Sequence, residues 1–140
     1  MRQHGESDFI NRIPVFVSFD YTHDVATKNR LITEWSNELC PIWIKDCSIE
    51  LPVTDHRWQT DAAKKIDTAK AVLVICGKNT HSAEGVRTEV QMALQQRKPV
   101  LYLQAFKEGS SLPTGVARGT KMLSLDWKAV YEHLASLANR

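Results

Sequence analysis

The apolar run Ala71 to Cys76 constrains this chain more than any other stretch. It is too short for a helix and rich in β-branched residues, the pattern of a strand buried on both faces of a parallel sheet. Gly77 ends it, and a polar loop from Lys78 to Ser82 leads into a helix on which Val86, Val90, Ala93 and Leu94 gather on one face. Val100 to Leu103 then reads as the next strand.

The flanking segments repeat the alternation. Ile13 to Phe19 is a first strand, with Pro14 near its beginning, where a ladder donor can be missing. Asp20 to His23 forms a polar loop, and Asp24 is placed to cap a helix with Leu31, Ile32, Trp35 and Leu39 as its apolar stripe, stopped by Pro41. Pro41 to Ile44 is a short second strand. The stretch Lys45 to Asp55 has no convincing period and reads as an exposed loop. Trp58, Ala62, Ile66 and Ala69 space another helix, which runs directly into the strand at Ala71. After a loop rich in Gly, Ser and Pro, Lys121 to Leu125 is a fifth strand. Asp126 is a cap for a last helix that packs Trp127, Val130, Tyr131, Leu134 and Leu137 inward.

Five strands alternating with helices predict an α/β fold: an open parallel sheet of flavodoxin-like order, 2-1-3-4-5, with helices on both faces. A chain of 140 residues makes one such domain over residues 13–140, preceded by a loosely held, polar N-terminal arm over residues 1–12. In that order the connections reverse between strands 1 and 3. The loops after Phe19 and after Gly77 therefore flank one crevice at the strands' carboxyl ends.

That crevice is the candidate site. One side offers Ser18, Phe19, Asp20 and Tyr21, and the other offers Asn79, Thr80, His81 and Ser82, with Glu89 behind them. Hydroxyls, amides, aromatic rings and one carboxylate suit a ribose and an aromatic base, and amides at the following helix start suit phosphate. At about 100° per residue, Glu89 lies roughly 60° from Val86, beside the buried stripe as a flanking carboxylate. Its neighbours three and four positions away are Gly85, Val86, Met92 and Ala93, so no intrahelical cation is available to it.

Other chemistries find less support. The net charge of +2 is modest and the basic residues are scattered, unlike the footprint of a nucleic-acid binder. No run approaches the ~20 apolar residues of a membrane span, and no signal-peptide core is present. Cys40, Cys47 and Cys76 lack metal-knuckle or redox spacing and read as reduced thiols of a cytoplasmic protein. Neither GxGxxG nor GxxxxGK[ST] occurs. A receiver-type acidic cluster is missing because Gly77 follows strand 3, and nothing brings Cys47 and His56 together as a nucleophile and base.

The segments VFVSFDYTHD, VLVICGKNTHS, GVRTEVQMAL and KPVLYL, in this order, resemble the TIR-like domains of the ThsB proteins of the Thoeris antiphage system. The resemblance runs from about Val15 to Leu103, and the C-terminal strand and helix are compatible with it. It implies an enzyme that cleaves NAD, releases nicotinamide and makes an ADP-ribose-derived signal, cyclic or conjugated, for a separate effector. Under it Glu89 matches the catalytic glutamate of the W-V-x-x-E helix motif, and Ser18, Phe19, Asp20, Tyr21, Asn79, Thr80 and His81 are expected to bind substrate. Gly85 stands where the family often has tryptophan, and Thr88 where a larger residue is frequent. NAD is substrate, with no cofactor or metal implied. Self-association is left open, and neither nucleic acid nor membrane is an expected partner. A non-enzymatic interaction scaffold and a base-exchanging deoxyribosyltransferase remain as alternatives.

Overall fold

The computed structural model of the chain describes residues 12–50 and 54–138. Apart from Arg12, whose guanidinium donates to the Asn37 carbonyl at 3.1 Å, the expected N-terminal arm lies outside the described residues. Five strands, β1 (Ile13–Ser18), β2 (Ile42–Cys47), β3 (Ala71–Cys76), β4 (Val100–Gln104) and β5 (Met122–Ser124), form one sheet in the order β2-β1-β3-β4-β5. Every pairing is parallel, as the expected flavodoxin-like order requires. Among the described residues four α-helices cover the sheet: α1 (Val25–Trp35), α2 (His56–Asp67), α3 (Glu84–Gln95) and α4 (Trp127–Ala138).

All six residues of β3 are 0% exposed. Full burial of each larger aliphatic side chain there contributes about 1.5–3 kcal/mol. Because successive side chains of a strand point to opposite faces, the core divides in two. Val15, Val17, Leu73 and Ile75 pack with Leu31 and Trp35 of α1 and with Val130 and Leu134 of α4. Phe16, Val72, Val74 and Cys76 pack with Ile66 of α2 and with Val86, Val90 and Ala93 of α3. The second face, the one that α2 and α3 cover, carries the carboxylate of interest.

Several expected boundaries move, each for a local reason. α1 ends at Trp35, not near Pro41, and Leu39 is 81% exposed. The side chain of Asn37 donates to the Glu34 carbonyl at 3.0 Å and accepts from the Leu39 amide at 2.9 Å, a local turn that competes with helical bonding. Asp24 occupies the N-cap position of α1, but its side chain makes no capping bond. It is buried against Gly77 instead. α3 terminates just before Arg97, which adopts a φ of 59°, and Leu94, roughly 80° round the helix from Val86, is exposed. Tyr131 of α4 is likewise exposed, whereas Val130 and Leu134 are buried as expected. β5 is shorter than the expected Lys121 to Leu125.

The largest revision concerns β2, which continues through Lys45 and Asp46 to Cys47 where a loop is expected. It is an edge strand and mostly half-buried, so charged residues fit its outer side. A bulge also breaks its alternation. Val15 pairs with Ile44, but Phe16 pairs with Asp46, leaving Lys45 as the extra residue.

Candidate functional site

The reversal between β1 and β3 opens a cavity of about 550 Å³ at the carboxyl ends of the strands. That volume lies within the roughly 300–1,000 Å³ range of pockets that hold small ligands. Three segments line it: Phe19 to His23 after β1, Ser48 to Glu50 after β2, and Ser82 to Val86 at the start of α3. Trp58 and Glu89 reach it from α2 and α3.

Glu89 is buried to 1% exposure, deeper than a flanking position implies. Its Oε1 accepts two hydrogen bonds of 2.6 Å, from Ser18 Oγ at the end of β1 and Ser48 Oγ just past β2. Ser48 Oγ in turn accepts from the Phe19 amide at 3.1 Å. One carboxylate oxygen therefore ties two strands to a helix. Burial pushes the Glu89 carboxyl up to about 7, opposed by the two serine hydrogen bonds and by the positive charge of Lys65. Near neutrality the group is divided between an ionised carboxylate and a neutral acid.

This burial has a measurable consequence. An acid whose folded value lies above its unfolded value of 4.5 makes the folded state take up protons, so stability is highest below about 4.5 and declines as pH rises through about 7. Held ionised in this site, the carboxyl costs on the order of 3 kcal/mol. Glu89→Gln is therefore expected to be more stable than the parent at pH 8, by several degrees in Tm, and to match it near pH 4. Thermal unfolding at the two pH values checks this. Equal shifts at both would place the effect in packing.

Of the residues expected to bind substrate, Phe19, Asp20 and Tyr21 line the cavity with Glu89. Phe19 and Tyr21 stack with ring centroids 5.5 Å apart, Phe19 buried and Tyr21 partly open to solvent. Lys28 Nζ lies 5.4 Å from the Phe19 ring. Ser18 is fully buried and does not line the cavity; it holds the carboxylate.

The loop after β3 is arranged differently from the expectation, and Asn79, Thr80 and His81 do not line this cavity. Thr80 is turned fully inward, where its hydroxyl accepts from the Gly77 amide at 2.8 Å and donates to the Ile75 carbonyl at 3.3 Å. A buried amide at the strand's end needs that acceptor. The Asn79 carbonyl receives the Ser82 hydroxyl and amide. His81 is drawn to the long loop after β4, pairing with the Ser111 hydroxyl at 3.0 Å, and lines a neighbouring hollow with Arg87 and Thr114.

Sequence reasoning missed Ser48, Ile49, Glu50 and Trp58. Ser48 lies in the segment read as an aperiodic loop, and its signal is topological: β2 neighbours β1, so the residue after β2 stands beside the end of β1. Gly85 contributes no side chain to the cavity, and an indole reaches it from α2 through Trp58.

The sequence profile of the family described as Thoeris protein ThsB, TIR-like domain, matches residues 16–108, about two thirds of the chain. The chain belongs to the ThsB TIR-like domain family. The matched span runs from β1 into the loop after β4, so it contains all three segments that line the cavity and the whole of α3. No curated protein matches the chain. The described residues of this TIR-like domain contain no helix long and apolar enough to cross a membrane. They contain no group of three or more His, Cys, Asp or Glu arranged to hold a metal ion. Its three cysteines are free, and burial raises all three thiols, Cys76 to about 12, which leaves none poised as a thiolate.

Proposed function

We propose that this ThsB TIR-like domain is a cytoplasmic enzyme that cleaves NAD between nicotinamide and ribose. It passes the ADP-ribosyl group on as a cyclic or conjugated signal read by a separate effector in antiphage defence. One observation carries the reading: a carboxylate that lines the cavity is buried and fixed by two serine hydroxyls on a single oxygen.

The chemistry follows from charge. Nicotinamide in NAD is a pyridinium, so it leaves as a neutral base without an acid to protonate it. An oxocarbenium-like cation remains on the ribose, and a preorganised anion in a site of low polarity stabilises that developing charge. Glu89 is such an anion when ionised. Its serine partners fix its position before substrate arrives, so no reorganisation is required in the transition state.

The cavity also favours one end of the substrate. Among the described residues its lining has Asp20, Glu50, Glu84 and Glu89 but no lysine or arginine, which suits the cationic nicotinamide riboside over the diphosphate. The diphosphate is better served by the amides at the start of α3, where Glu84 and Gly85 line the cavity. The stacked Phe19 and Tyr21 offer flat apolar surface to a ring.

Incubating purified protein with NAD and resolving the products by mass spectrometry tests the proposal. Nicotinamide and an equimolar ADP-ribose-derived product are expected, from the dilute protein or after self-association at high concentration. NAD left intact under both conditions would favour the interaction scaffold.

A further inference from the structure

Resting on the NAD-cleaving reading, we propose that His23 is the general base that deprotonates the acceptor hydroxyl, water or an alcohol, attacking the ribose, and that Asp20 positions it. Glu89 serves bond breaking; bond making calls for a group that takes up a proton. An O–H acceptor that bonds to the ribosyl cation must lose a proton, and the buried Glu89 has its Oε1 committed to two serines.

The loop after β1 supplies the pair. His23 Nδ1 lies 2.6 Å from Asp20 Oδ2, and both residues line the cavity that Glu89 lines. Asp20 is almost fully buried and its other oxygen, Oδ1, accepts from the Thr22 amide at 3.0 Å. Its carbonyl accepts from the amides of His23 and Asp24. The carboxylate is thus held on both oxygens while the imidazole stays half-exposed.

A carboxylate only accepts, so neutral His23 carries its proton on Nδ1 and keeps the lone pair on Nε2. Nε2 has no hydrogen-bond partner among the described residues. This is the arrangement in which a carboxylate fixes the tautomer and stabilises the imidazolium formed on proton uptake.

The steps balance. The C–N bond breaks with its electron pair leaving on nicotinamide. The acceptor oxygen donates a lone pair to C1 of the ribose, its proton passes to His23 Nε2, and the exposed imidazolium returns the proton to solvent. NAD and ROH give nicotinamide, the ADP-ribosyl acetal (from an alcohol) or hemiacetal (from water), and one proton.

A pyridine base attacks the same cation without losing a proton, and that difference separates the roles. The test measures two rates for each protein: ADP-ribosyl transfer to water or alcohol, and exchange of NAD with isotopically labelled nicotinamide. His23→Ala is expected to lose about a hundredfold or more in transfer, the lower end of general-base effects, while exchange changes by less than about threefold. Asp20→Asn should show the same split to a smaller degree, because an amide at that place no longer fixes the tautomer. Glu89→Gln should lose both rates together. Equal losses of transfer and exchange in His23→Ala, or full transfer in that variant, would overturn the assignment to His23 and leave the NAD reading standing. A parent protein showing neither rate would overturn the NAD reading, and this assignment with it.

Discussion

Glu89→Gln is expected to lower NAD turnover by about a hundredfold or more, the scale of losing one preorganised electrostatic group. Glutamine keeps the size of the side chain, and its amide oxygen can still accept from Ser18 and Ser48. What disappears is the negative charge, which matters when nicotinamide departs and not before. KM should therefore change much less than kcat. The parent's kcat should also climb as pH rises through about 7, since only the ionised carboxyl stabilises the cation. Catalysis and stability thus pull in opposite directions at this residue: the variant gains Tm at pH 8 and loses turnover there. That pairing excludes unfolding as the cause of lost activity. Normal NAD consumption by the folded variant would falsify the catalytic role.

Gly77→Ala should destabilise the fold by about 1–3 kcal/mol, the usual range for forcing extra atoms into a packed interior. A Cβ at this position would clash with both carboxylate oxygens of Asp24 and sit 2.7 Å from its Cγ. Asp24 is 2% exposed, and its Oδ2 is buried without a hydrogen-bond partner. The carboxylate has little room to retreat, because it is anchored at the start of α1. Burial and the nearby Asp20 raise its pKa, with His23 opposing them. The cost should largely vanish in an Asp24→Ala background, where the clashing group is gone. Urea denaturation of the two single variants and the double variant measures that coupling. The same cost in both backgrounds would place the strain elsewhere in the loop.

The architecture was legible because β3 announces itself. An unbroken apolar run between turn signals leaves few alternatives, and the strand and helix alternation implies a parallel sheet, for which 2-1-3-4-5 is one of the two common orders. Glu89 was legible for a related reason: its own helix offers it no cation. Its burial was not, since a helical projection gives an angle but not what packs above it. Two serines lie there, one at the end of β1 and one just past β2, 71 and 41 residues away in the chain. Ser48 was hidden because the edge strand before it is charged and bulged. Asn79, Thr80 and His81 belong to a loop that the topology brings to the crevice, but loop topology does not say which way each side chain turns. The Gly77 amide turns Thr80 inward, and the loop after β4 takes His81.

The bulge in β2 reaches further than the shape of an edge. With Lys45 set aside, Cys47 stands level with Val17, and the next residue, Ser48, donates its amide to the Val17 carbonyl at 3.0 Å. Had β2 paired without the slip, Cys47 and not Ser48 would lie level with Ser18. A thiol is a weak donor, so Glu89 would keep a single strong hydrogen bond and ionise only at higher pH. One surplus residue in a half-buried strand thus acts as a tuning peg for the buried acid, setting the pH at which its charge switches on.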